Sequence, residues 1–130
     1  MTTVAVAGPR LSPKVAGIAV LGGAALTIAS AAIHLHLWFD GYRHIADIGR
    51  LFIAQVIAGV AVAAVALAVR RRVTAVLGAL YLAATSAGLL LSATVGVLHF
   101  HDGLDAPYAG LSLAIQGAGI ALFTLAVAAA

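Results

Sequence analysis

The sequence predicts an all-α integral membrane protein: a four-helix up-down-up-down bundle built from two parallel hairpin repeats. Three observations lead there. Of 130 residues, 64% are hydrophobic and 8% charged, against about 45–50% apolar and 25% charged in soluble domains. Four apolar segments each reach the roughly 20 residues that cross about 30 Å of hydrocarbon in a helix. The second half of the chain also repeats the order of polar features found in the first. Too few polar residues remain to coat a soluble core, which argues against a secreted, cytosolic or nuclear protein.

The first span is expected over residues 15–38. Arg10, Lys14 and Ala29-Ser30-Ala31 give it a passing likeness to a cleaved leader. Its apolar run is longer than the 7–15 residues of a leader's core, so a retained helix is expected. Asp40-Gly41-Tyr42-Arg43 breaks the chain before a second span at 48–69. Arg70-Arg71-Arg72 closes that span, and a third follows at 73–98. Asp102-Gly103-Leu104-Asp105-Ala106-Pro107 then separates it from a fourth at 108–128, leaving a single transmembrane domain over 1–130. Gly22-Gly23 and the Gly117/Gly119 pair read as points of close helix approach.

Arg10, Lys14 and Arg70–Arg72 fall at one end of such a bundle, Arg43 and Arg50 at the other. The positive-inside rule then places both termini in the cytoplasm. The Arg70–Arg72 run suits topology and anionic lipid better than nucleic acid, and no nucleic-acid partner is expected. All four carboxylates (Asp40, Asp47, Asp102, Asp105) and all five histidines (His34, His36, His44, His99, His101) gather at the extracytoplasmic end. Trp38, Tyr42, Phe100 and Tyr108 lie there too, as interface anchors do. Arg43 and Arg50 flank Asp47 and are expected to make surface ion pairs with it.

The repeat sets His34-Leu35-His36 against His99-Phe100-His101, 65 residues apart, and Gln55 against Gln116, 61 apart. Within a helix, positions i and i+2 lie about 200° apart, so only one histidine of each pair faces the bundle. Thr27, Ser30 and His34 form one stripe, and Thr85, Gly88, Ser92 and His99 another. His34, Gln55, His99 and Gln116 are therefore expected to form one polar layer, with His36 and His101 toward the headgroups beside Asp40 and Asp102.

Ionisable groups in a membrane are functional candidates by default. With no cysteine, disulfides and thiolate sites are excluded, and a metal must use imidazole, carboxylate or backbone ligands. The first expectation is a copper or zinc site from His34, His36, His99, His101 and Asp102, if the helix ends unwind enough for i and i+2 to converge. The alternatives are an accessory or structural subunit, alone as a homo-oligomer or within a larger membrane complex, whose His/Gln layer only holds helices together, and a b-type haem ligated by His34 and His99. Transport or quinone contact ranks behind these, and transport is further disfavoured because no charge lies in mid-span and no Gly/Pro-broken helix is evident. No nucleophile, base and orienter come together, so enzymatic activity is not expected.

His34-Leu35-His36-Leu37-Trp38, then Gly41-Tyr42-Arg43-His44-Ile45 and Ile48-Gly49 with Leu51-Phe52, resembles a motif of small four-helix membrane proteins of actinobacteria. The resemblance covers about the first half of the chain and implies a bacterial plasma membrane, without a mechanism.

Overall fold

The structure, a computed structural model, describes residues 13–97, 100, 101, 103, 106 and 108–129. Four helices account for most of them: α1 Pro13–Phe39, α2 Ile48–Ala68, α3 Arg72–Thr94 and α4 Ala109–Ala129, with a 3-10 turn at Tyr42–His44 between the first two. All four are long and apolar enough to cross a membrane. Large apolar residues such as Ile18, Ile57, Leu80 and Leu111 cover the outside, as suits helices facing lipid on their outer surface.

Expected and observed bounds agree to within two residues except at the end of α3. That helix stops at Thr94, not near residue 98. Gly96 follows with φ +87°, and both Val95 and Gly96 donate their N–H to the Leu91 carbonyl, at 3.0 and 2.8 Å. This is a glycine-terminated helix end. The expected α3 stripe is thus observed through Ser92, and His99 lies outside the described residues.

The helices form a bundle in which α1 packs extensively on α2 and α4, and α3 on α4, whereas the α2–α3 side is thinner. Hydrophobic driving force between helices is absent in lipid, so close packing of small residues must hold them. Ala19, Val20, Ala66, Ala75, Leu82, Phe123 and Ala126 make the tightest cluster, in the half nearer the arginine run. At its centre the fully buried Phe123 ring lies between Gly23 of α1 and Gly78 of α3; a Cβ on either glycine would come within 2.9 Å of ring carbons. Gly22 and Gly119 similarly admit Leu122 and Leu82, but nothing lies within 4 Å of a Cβ built on Gly117, which is no contact point.

The short α2–α3 connection is fixed by Thr74. Its hydroxyl shares its one proton between the Val69 and Arg71 carbonyls and accepts from the Arg71 N–H. The α1–α2 connection turns tightly at Gly49, where a Cβ would meet the Arg43 carbonyl oxygen at 2.7 Å.

Candidate functional site

The thin α2–α3 side opens, in the half carrying the histidines, into a cavity of about 240 Å³. His34 and Leu37 of α1, Phe52 and Gln55 of α2, Thr85 and Ser92 of α3, and Ser112 of α4 reach its wall, and Tyr42, Phe100 and Tyr108 close it from the connections. Aromatic residues expected only as interface anchors thus build the cavity. Tyr42 stacks on Phe52 at 4.7 Å and meets Phe100 edge-on at 5.9 Å, while Phe52 lies 5.2 Å from the His34 ring. The chain of rings gives a broad, weakly polar surface.

His34 is half-buried, and its Nδ1 lies 2.7 Å from the Ser30 carbonyl oxygen. Because a carbonyl only accepts, Nδ1 carries the proton and, in the neutral ring, Nε2 keeps its lone pair. Thr85 donates its hydroxyl to the Tyr81 carbonyl at 3.0 Å and Ser92 to that of Leu89 at 2.8 Å. Both oxygens keep acceptor capacity, while the Ser112 and Tyr108 hydroxyls on the same wall can donate. Gln55 supplies an amide donor as well.

Of the expected polar layer the structure describes His34, Gln55 and Gln116; His34 and Gln55 share the cavity wall, and Gln116 is not on it. Gln116 is fully buried one turn deeper, where it accepts from Ser86 at 2.8 Å and donates to Ser30 at 3.4 Å, joining α4 to α3 and α1. Gln55 stands apart on the cavity wall, and its backbone carbonyl accepts the Tyr81 hydroxyl at 2.6 Å, a bond linking α2 and α3. No simple spacing rule marks Tyr81 for this role, and the sequence reading passed over it.

The histidine pairs are also corrected in part. α1 continues unbroken through Phe39, so no unwinding brings His34 and His36 together. His36 is exposed, with its ring edge-on to Tyr108 at 5.4 Å. His101 is exposed and donates from Nε2 to the Thr94 carbonyl at 3.1 Å. His99 and Asp102 lie outside the described residues, and among the described residues no three His, Cys, Asp or Glu groups assemble. Arg43 lies over the Trp38 and Phe39 rings, 5.8 and 5.9 Å from their centroids, and donates to His44, in place of the expected pair with Asp47.

Comparison of the chain with protein-family models, with curated proteins and with solved structures finds no match.

Proposed function

We propose that the protein is a non-catalytic binding protein of a membrane, whose cavity between α2 and α3 takes the small ring of a lipid-soluble, hydroxyl-bearing molecule of the quinol class. One observation carries this reading. His34, held by Ser30 so that Nε2 is its acceptor, stands on a mainly aromatic and aliphatic wall that also carries Gln55, Thr85, Ser92 and Ser112. Binding sites of this kind pair an apolar wall with a few placed polar groups. The Thr85 and Ser92 oxygens, whose protons are committed to their own helices, add acceptors suited to a ligand hydroxyl. The charge asymmetry of the loops supports a cytoplasmic location for both termini and an extracytoplasmic site. The resemblance of the His34–Phe52 segment to actinobacterial proteins favours a bacterial plasma membrane.

A second reading is favoured by the same Nδ1 bond. Metal-ligating histidines commonly donate their other ring N–H to a carbonyl, which leaves the second nitrogen for the ion. Copper or zinc would then take His34 with His99, His101 or Asp102 as further ligands, and His36 only if α1 unwound. The b-type haem reading has weaker support, since about 240 Å³ is below the roughly 300–1,000 Å³ typical of drug-sized ligands.

The test is binding of a short-chain hydroquinone to the purified full chain, with metal analysis and an absorption spectrum of the same preparation. Saturable binding should fall about fivefold or more in His34→Ala, the worth of roughly one hydrogen bond, and should be unchanged in His44→Ala. Absent or His34-independent binding overturns the reading. Stoichiometric copper or zinc lost with His34 would establish the metal site in its place, a Soret band the haem. A colourless, metal-free protein that binds nothing would leave the accessory role.

A further inference from the structure

We infer that a second site, at the arginine end of the bundle, holds the phosphate of one anionic phospholipid. There the helix ends leave a groove of about 390 Å³ lined by Pro13, Gly17 and Val20 of α1, Ala126 and Ala129 of α4, and Arg70 and Arg71. The walls are small and apolar, and nothing lies within 4 Å of a Cβ built on Gly17. An acyl chain or glycerol backbone can lie along such a wall while its headgroup meets the guanidinium groups.

The charges favour an anion there. In sequence, all four carboxylate side chains fall between α1 and α2 or between α3 and α4, and none falls between α2 and α3. Among the described residues the arginine end carries Lys14, Arg70, Arg71 and Arg72 and no acidic side chain, while Arg43 and Arg50 share the other end with Asp40 and Asp47. Two helix N-termini and two C-termini meet at the arginine end, so their dipoles largely offset one another and the side chains set the sign. Arg70 is anchored by its Nε donating to the Leu67 carbonyl at 3.2 Å, which leaves its terminal NH2 groups directed elsewhere. An arginine fork matches a phosphate's oxygens. Basic pockets between transmembrane helices commonly take phospholipid headgroups.

Native mass spectrometry of the full chain in mild detergent, with phosphatidylglycerol and separately with phosphatidylcholine, tests this. The wild type should retain one phosphatidylglycerol in preference to phosphatidylcholine. Arg70→Gln/Arg71→Gln should weaken retention about 25-fold, at roughly fivefold per basic side chain near an anionic headgroup. Gly17→Leu keeps every charge but fills the groove, and it should lose the lipid as well. Helicity by circular dichroism checks that each variant is folded, and Ala129→Leu fills the same groove from α4 should Gly17→Leu not fold. Retention unchanged by groove filling but lost with the arginines would mean diffuse surface attraction, and it overturns the site. So would equal retention of phosphatidylcholine, or displacement of the lipid by millimolar inorganic phosphate, which would make free phosphate the ligand.

Discussion

The contact of Phe123 with Gly23 and Gly78 can be tested by adding or removing single groups. Gly78→Ala would place a methyl 2.6 Å from Cε2 and 2.7 Å from Cζ of the ring, inside any tolerable carbon contact. The ring is fully buried and flanked by α1 as well, so it has little room to withdraw. Overpacking of this kind costs about 1–3 kcal/mol. Gly117→Ala, on the same bundle but with nothing within 4 Å, is the control that removes whatever helix propensity contributes. Phe123→Ala empties the space and should cost less than the roughly 3–5 kcal/mol of a soluble core, because only the packing is lost and no transfer from water. In the double variant the new methyl points into vacated volume, so the steric cost of Gly78→Ala should largely vanish. The cycle should therefore show a favourable coupling of about 1–3 kcal/mol. Reversible unfolding in mixed micelles titrated with sodium dodecyl sulfate gives these differences, followed by helicity or by the single tryptophan, Trp38. Additive effects, or a Gly78→Ala variant matching Gly117→Ala within about 0.5 kcal/mol, would refute the packing argument.

The two glutamines should separate in the same assay. Gln116→Leu removes bonds to Ser86 and Ser30 and should cost about 0.6–2 kcal/mol, whereas Gln55→Leu should leave stability nearly unchanged and weaken hydroquinone binding. Tyr81→Phe removes the hydroxyl bond to the Gln55 carbonyl, worth about 0.5–1.5 kcal/mol, and should speed amide hydrogen exchange in the histidine-end half of α2.

Span positions were legible because the bilayer imposes a length and an apolarity that few other structures share. Gly23 and Gly119 were legible as contact points because only a missing side chain admits a neighbouring helix so closely, while Gly117, with the same composition around it, faces outward. Composition marks the candidates but not the rotation of the helix. The end of α3 was readable at Gly96 and was missed by following the apolar run through Leu98. The stripe expected to run to His99 is described in α3 only as far as Ser92. The cavity was not legible: it depends on the spacing between α2 and α3, which no periodicity within one helix records, and on Tyr42 and Phe100 folding back from connections.

The unequal packing of the hairpins follows from where the polar groups spend their hydrogen bonds. Each hairpin is closely packed within itself, yet α4 meets α1 closely while α2 meets α3 loosely. Thr27, Thr85 and Ser92 donate back to their own helices, and so does His34, so none of them draws a neighbouring helix inward. Gln116 does, because its amide reaches two other helices at once. Across the α2–α3 side the Tyr81 hydroxyl makes the corresponding link, and it binds a backbone carbonyl, leaving the Gln55 amide uncommitted to packing. The corresponding glutamines of the two halves thus do different work: Gln116 ties α4 to α1 and α3, and Gln55 lines the cavity. With Phe123 and its glycines fixing the arginine half, the histidine half can keep an open space without loosening the bundle, so substitutions that empty the site should be separable from those that unfold the protein.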